Sequence, residues 1–263
     1  MAAMLRCFLL LFCLLTTCLS AEPQGYHSFS KEEAARGLLA MLTPEHRIDA
    51  WFFRAADVQL AILDEGNAGT RYGSLEAAMR AERCVAGING GYFGADAAHT
   101  PLGLVRHGGR QLNPLATGSF AVAGLLYDTG RELRLERSKK ASTSTPRMQE
   151  AIQGGPFLVE YGKKVAGLNS TRSARRSFVA TDGRGNWCLA MSSPFTLDAL
   201  AAWLASGKAL GGFRVRTALN LDGGTSSAFW VANPPLYKPG VKAVRNYIGV
   251  KPRAAKGAAD IGK

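Results

Sequence analysis

The chain has 263 residues, 47% of them hydrophobic and 20% charged, a composition that excludes both a disordered chain and a membrane-embedded one. Its formal charge of +12 suits a polyanionic partner such as a phosphorylated glycan or an anionic lipid headgroup. No nucleic-acid-binding motif accompanies that charge, which argues against nucleic acid as the partner.

Residues 1–21 read as a secretory signal peptide: Arg6 gives a positive start, Cys7 to Leu15 is an apolar run too short to span a bilayer comfortably, and small residues lead to cleavage after Ala21. An uncleaved anchor is the alternative. A lipoprotein signal at Leu15-Thr16-Thr17-Cys18 is disfavoured by the bulk of Thr17 before the cysteine. The protein is therefore expected to be secreted or periplasmic, meeting the membrane only through this segment. With Cys7, Cys13 and Cys18 removed, Cys84 and Cys188 remain in an oxidising compartment, and a disulfide or two buried free thiols fit equally. Residues 22–47 are expected to form a linker and then an N-terminal helix, opened by the capping box Ser30-Lys31-Glu32-Glu33 and stopped after Leu42 by Pro44.

From Ile48 onward the chain reads as short strands broken by glycine turns. Ile48 to Phe53 and Val58 to Leu63 are predicted strands, and Ser74 caps a helix from Leu75 to about Arg83. A buried strand, Cys84 to Ile88, runs into Asn89-Gly90-Gly91. Further strands are predicted at Leu102 to Val105, Phe120 to Tyr127 and Leu133 to Leu135, with Arg137 to Arg147 as an exposed basic loop. Another strand enters Gln153-Gly154-Gly155-Pro156 and resumes over Phe157 to Val159. Ser177 to Thr181 and Trp187 to Met191 form a hairpin about Asp182-Gly183-Arg184-Gly185. Thr196 caps a helix, Leu197 to Ala205, with Leu197, Leu200 and Leu204 on one face. The strand Thr217 to Leu221 meets Asp222-Gly223-Gly224, and Ser227 to Val231 and Tyr247 to Val250 complete the set. The expected fold class is α+β: a single strand-rich domain over residues 48–251, with a mixed sheet, few flanking helices and Gly-Gly turns forming the site. Residues 252–263 are a basic tail expected to fray.

Three Gly-Gly turns each follow a strand and each begin with a short polar side chain: Asn89, Gln153 and Asp222. A strand end delivers that side chain to one rim of a sheet, and the glycines let the backbone turn sharply with N–H groups available to an oxyanion. For any one turn the plain reading is a tight turn, where Asn, Asp and Gly are common anyway; three of one type in one chain point to a shared site.

The order of these segments resembles the phosphodiester glycosidase family, which includes the enzyme that uncovers mannose 6-phosphate on lysosomal hydrolases and bacterial members linked to exopolysaccharide. The resemblance rests on Asn-Gly-Gly-Tyr-Phe ending at Phe93, Pro101 to Val105, Gly-Gly-Pro-Phe-Leu-Val from Gly154 to Val159, the arginine-led strand Arg176 to Ala180, Ala218 to Ser227 with Asn-Leu-Asp-Gly-Gly, and Arg245 to Ile248. It spans nearly the whole chain after the leader. Two places depart from the family pattern. Ser177-Phe178-Val179-Ala180 stands where Thr-small-Ile-Gly is usual, and Thr225 stands where a third glycine is common. Arg175 is the alternative match to the family arginine.

The resemblance implies a hydrolase that splits a sugar from a phosphodiester, with no cofactor. Such a substrate needs a cation for its phosphate, and Arg176, helped by Arg175, supplies a planar fork for two oxygens. It needs a base or nucleophile at the anomeric carbon, and Asp222 is the candidate. Asn89 is expected to hydrogen-bond a sugar hydroxyl or the phosphate. Gly90, Gly91, Gly154, Gly155, Asn220, Gly223, Gly224, Ser226 and Asn246 are the expected substrate-binding set, with Asn220 two residues before Asp222 and so on the same strand face. A partner carboxylate could be Asp64, Glu65 or Asp96. His27, His46, His99 and His107 share no ligand spacing, so no metal is expected. Two other readings compete. Gly224-Thr225-Ser226-Ser227-Ala228 nearly matches a serine-hydrolase elbow, which requires a helix after the serine. A non-catalytic polysaccharide binder or biosynthesis accessory would use the same basic rim with Tyr92, Phe93 and Trp230. Oligomeric state leaves no mark in the sequence.

Overall fold

The computed structural model describes residues 23–31, 46–66, 71–141 and 147–253. The expected leader, the helix over 32–42 and the tail beyond 253 lie outside them. The segment read as a linker is a strand: β1 (Gly25–Lys31) pairs along its whole length with β2 (His46–Arg54), so Ser30 and Lys31 belong to a ladder. Next come β3 (Val58–Asp64), α1 (Leu75–Ala81), β4 (Ala86–Asn89), β5 (Val105–His107), β6 (Arg110–Asn113), β7 (Gly124–Asp128), β8 (Leu133–Arg137) and α2 (Ser138–Ala141). The second half carries β9 (Glu150–Gly154), β10 (Phe157–Glu160), β11 (Lys163–Lys164), β12 (Ala174–Thr181), β13 (Asn186–Phe195) and α3 (Leu197–Ala205). It ends with β14 (Thr217–Asn220), β15 (Phe229–Val231), β16 (Leu236–Lys238) and β17 (Asn246–Pro252).

The strand-rich α+β class holds, but the expected mixed sheet is three sheets in which every described pairing is antiparallel. A seven-stranded sheet runs β1-β2-β13-β12-β14-β10-β11; two five-stranded sheets run β16-β15-β4-β17-β3 and β6-β5-β9-β7-β8. Local signals explain several elements. Ser74 and Thr196 accept from the backbone N–H groups of Ala77 and Ala199, capping α1 and α3 where the sequence places them. Other boundaries move. The strand expected over Leu102 to Val105 begins only at Val105, because Leu104 N–H bonds the Gln153 side chain. The run from Phe120 splits into a 3-10 turn, Phe120–Val122, and β7. The loop expected from Arg137 opens with α2, and Ser138 is buried, donating to Val122 O at 2.6 Å. The short strands β6, β11 and β16 lack the apolar alternation that marks the others.

Burial sorts the faces. One face of the large sheet packs on α3 through Phe52, Phe178, Ala190, Leu200 and Leu204. The opposite face, with Val179, Leu189 and Leu219, meets both smaller sheets through Ile62, Ile88, Leu126 and Ile152. The helix α1 covers the outer side of the β4 sheet, packing Met79 against Cys84 and Tyr247.

The two smaller sheets are joined at an edge. The outer N–H groups of edge strand β3 are met by carboxylates of the neighbouring sheet: Leu60 N–H by Asp128 at 3.1 Å and Ile62 N–H by Glu150 at 2.7 Å. Glu150 also accepts from Gly108 N–H at 2.8 Å and lies 3.1 Å from His107 Nδ1. A bare edge is thereby closed without a strand. The hydrogen bond to Glu150 raises the His107 imidazole above its ordinary value, against the opposing effect of burial. Protonated His107 therefore adds stability below the unfolded histidine value near 6.5, and that contribution is lost as pH rises through the raised folded value.

Glu150→Ala leaves the buried Ile62 N–H without its acceptor and should lower unfolding stability by about 1–3 kcal/mol in denaturant titration. His107→Gln should lose less stability than wild type as pH rises from the unfolded histidine value through the raised folded one, measured by thermal unfolding across pH.

Candidate functional site

The C-terminal ends of β4, β9 and β14 converge with the N-terminal ends of β12 and β17. Antiparallel pairing sets this meeting, since Asn89 lies opposite Tyr247, and Asn220 opposite Phe178, two residues from Arg176. All three Gly-Gly turns therefore come together.

Asn89 is wholly buried. Its Nδ2 donates to Asp222 O at 2.8 Å, and its Oδ1 accepts from Ser177 Oγ at 2.6 Å and Ala228 N–H at 3.1 Å. Its polar atoms are engaged by protein, and its Nδ2 holds the Asp222 backbone. Asp222 N–H in turn donates to Gly90 O at 3.1 Å.

The first two glycine turns are closely packed. Gly90 N–H donates to Asn246 O and Gly91 N–H to Asn246 Oδ1, both at 2.9 Å, so neither is available to an oxyanion. Gly155 is glycine because a Cβ there would collide with Phe120 O, and a Cβ on Gly154 would sit in tight contact with Asn220 O, 3.0 Å away. These four glycines let chains approach closely. Gln153 is a buried clamp, accepting from Leu104 and Ala116 N–H and donating to Ala116 O, Val122 O and Ser138 Oγ. Gly223 and Gly224 are half-exposed, and Gly224 has φ +66°, a conformation that favours glycine.

Asp222 is half-buried, and burial is the largest influence on its carboxyl, raising it above the usual range. Hydrogen bonds from Ser226 and Gly223 N–H and the charge of Lys242 oppose the rise. None of these groups is a carboxylate. Arg176 is 8% exposed; its Nε donates to Phe195 O at 2.9 Å and its Nη2 to Arg172 O at 2.6 Å. Among the described residues Nη1 has no hydrogen-bond partner, and it runs beside Gly223, where a Cβ would sit 3.9 Å away. Burial lowers the guanidinium, Tyr92 acts in the opposite sense, and Arg172 adds to the lowering. Arg175 points away, with Nη1 3.4 Å from Pro239 O.

Asn220 is fully buried and donates through Nδ2 to Tyr92 OH at 2.9 Å, Gly155 O at 3.0 Å and Leu221 O at 2.6 Å. The Asn246 side chain holds Gly91. Asn220 Oδ1, Ser227 Oγ and Asn246 Nδ2 are buried with no partner among the described residues. Ser226 lies in the 3-10 turn Gly224–Ser226, and the next element is β15, so a strand replaces the helix that a serine elbow requires.

The suggested partner carboxylates are occupied elsewhere. Asp64 forms a bidentate pair with Arg245 at 2.6 and 3.0 Å, Glu65 accepts from Tyr72 N–H at 2.8 Å, and Asp96 accepts from Thr100 N–H at 2.8 Å. Trp230 lies in the α1 cluster with Arg80 over its ring, away from Tyr92. Cys84 and Cys188 are free and buried, and burial raises the Cys84 thiol to about 12. Among the described residues no group of three or more His, Cys, Asp or Glu could hold a metal ion. Two grooves of about 690 and 540 Å³ lie outside this cluster, one beside Arg131 and Arg147, the other beside Met79 and Trp230. Tyr92 and Lys242 are the site members that sequence reasoning missed as polar groups. The only signal for Tyr92 was its place after the first Gly-Gly pair, and Lys242 sits in a segment without pattern.

A carboxylate beside an arginine, at converging strand ends, is the kind of site that suits hydrolysis of an anionic substrate. Residues 82–251 match phosphodiester glycosidase, and the chain belongs to that family, whose activity is glycosidase action on a phosphodiester. The fold is shared with solved structures at low identity. The catalytic domain of zebrafish N-acetylglucosamine-1-phosphodiester alpha-N-acetylglucosaminidase, auto-inhibited by its pro-peptide, is 15% identical with a TM-score of 0.60, over 89% of this chain and 85% of that one. A hypothetical protein from Synechocystis is 16% identical with a TM-score of 0.56, over 87% and 62%. A Burkholderia pseudomallei protein described as exported is 12% identical with a TM-score of 0.55, over 79% and 74%. No curated protein sequence matches the chain.

Because burial penalises ionised Asp222 in the folded state, Asp222→Asn should unfold at higher temperature than wild type at neutral pH. The gap should close as pH falls through the raised carboxyl value, where wild type becomes protonated too.

Proposed function

We propose that this protein is an exported hydrolase that releases a free sugar from a sugar-1-phosphodiester, leaving a phosphomonoester on a glycan or cell-envelope polymer. The observation that carries the proposal is the pairing of a base-forming Asp222 with an Arg176 guanidinium fixed by two backbone carbonyls, in a chain of the phosphodiester glycosidase family. Export is supported by the apolar leader, and a Burkholderia neighbour is itself described as exported.

In this reading Arg176 presents Nη1 to the phosphate. Asp222 takes a proton from a water whose oxygen bonds to the anomeric carbon. The bond from that carbon to the phosphate oxygen breaks, and its electron pair leaves with the phosphomonoester, which gains one negative charge. Phosphate is a good leaving group, so a strong general acid is not demanded, in keeping with a single free carboxylate. The raised carboxyl makes Asp222 a stronger base than an exposed aspartate. Asn89, Gly90 and Asn246 hold the turns, and Ser226 orients the carboxylate.

Assay of a panel of sugar-1-phosphodiesters, including N-acetylglucosamine-1-phospho-methyl-mannoside, should show free sugar and no inorganic phosphate. Asp222→Asn and Arg176→Ala should each lose about 10²-fold or more in kcat/KM. Activity should fall as pH drops through the raised Asp222 value. Release of sugar phosphate would place the cut at the wrong bond, and glycan binding without turnover in wild type and both variants would make the protein a binder.

A further inference from the structure

The Tyr92 hydroxyl has no task in that chemistry, although it stands inside the cluster. Its ring is placed by Leu102 N–H, which donates to Tyr92 O at 2.9 Å, and by an edge contact with Phe120 at 6.3 Å between centroids. The charges of both Asp222 and Arg176 act on the phenol, so both groups stand near it.

The direction of its proton is set by Asn220. The Nδ2 end of that amide faces Gly155 O at 3.0 Å and Leu221 O at 2.6 Å. Two carbonyl oxygens accept and cannot donate, so the end that faces them must be the NH2 group; a flipped amide would set oxygen against oxygen. The same NH2 group lies 2.9 Å from the Tyr92 oxygen. An amide NH2 group cannot accept, so the phenol is the acceptor in that contact, sharing the two amide hydrogens with the carbonyls, and its own proton is not given to Asn220. Among the described residues no other group accepts it. An O–H whose oxygen already accepts a hydrogen bond is polarised into a better donor. Burial and the Asp222 charge push the phenol up to about 12, which keeps that proton in place at working pH.

We infer that the Tyr92 hydroxyl is a catalytic hydrogen-bond donor to a phosphate oxygen of the substrate, beside Arg176, where negative charge grows as the sugar–oxygen bond breaks. Asn220 is its positioning residue. The inference rests on the phosphodiester glycosidase reading. No proton is transferred from Tyr92: the phosphomonoester leaves as an anion, and the phenol shares charge with it through a hydrogen bond.

The test is Tyr92→Phe, assayed with a hydrolysed sugar-1-phosphodiester and with both phosphorothioate diastereomers, in which sulfur, a weak acceptor, replaces one non-bridging oxygen. The expected result is a kcat loss of about 10²-fold with KM held within about threefold and the melting temperature unchanged. Wild type should be slowed by sulfur in one diastereomer, and the variant should be insensitive to it. Unchanged kcat, a loss confined to KM, or equal sulfur sensitivity in both proteins would overturn the inference. Should the phenylalanine variant fail to fold, 3-fluorotyrosine at position 92 keeps ring and hydroxyl, and the alkaline limb of kcat should then move to lower pH; an unmoved limb overturns the inference equally. Absence of sugar release by wild type from every diester would instead sink the functional reading itself.

Discussion

Both backbone polar groups of Asp222 are held by one turn on another sheet: its carbonyl by Asn89 Nδ2 and its N–H by Gly90 O. Asn89 at the same time binds Ser177 on β12 and the Ala228 N–H before β15. A single buried amide thus fastens the large sheet to the β4 sheet at the point where the carboxylate emerges. With every polar atom of Asn89 paired inside the protein, loss of the side chain would strand a buried hydroxyl, an N–H and a carbonyl together. Asn-Gly-Gly and Asp-Gly-Gly are two halves of one joint, although 133 residues separate Asn89 from Asp222.

The acidic residues divide along the same lines. Asp128 and Glu150 close the β3 edge, Asp64 grips Arg245, and Asp49 accepts from Tyr26 OH and pairs with Lys238 across sheets. Each is held in the scaffold by the donors around it. Asp222 stands at the converging strand ends instead, where burial is the largest influence on its carboxyl and raises it above the usual range. Chemistry and scaffold draw on one residue type, and the surroundings alone decide which use each serves.

Much of this was legible from residue order. The strands β2, β3, β4, β10 and β12 carry apolar runs, and Ser74 and Thr196 announce their helices, so local patterning sufficed there. Strand β1 was hidden because Tyr26-His27-Ser28 looks polar until its partner β2 covers one side. The three turns were recognised as a set because each follows a strand, yet their amides could not be read. Whether a turn N–H is free depends on Asn246, which arrives from 155 residues away. The aspartate and arginine of the candidate site stood out by residue type, whereas Tyr92 did not. An aromatic residue in a strand-rich chain is ordinarily packing, and only the two carbonyls around Asn220 reveal that its proton is not given to that amide.

Arg176 is anchored to main-chain oxygens of Arg172 and Phe195, not to carboxylates. Carbonyls are present whatever side chain a residue bears, so substitutions at position 172 can alter the charge at the mouth of the site while the anchor stays intact. Neutral anchors also leave the guanidinium's full positive charge unmatched, so the incoming phosphate meets a cation that owes nothing to an internal counter-ion. The separation of anchor from rim lets the outer surface drift toward different polymers in evolutionary time while the inner grip stays in place.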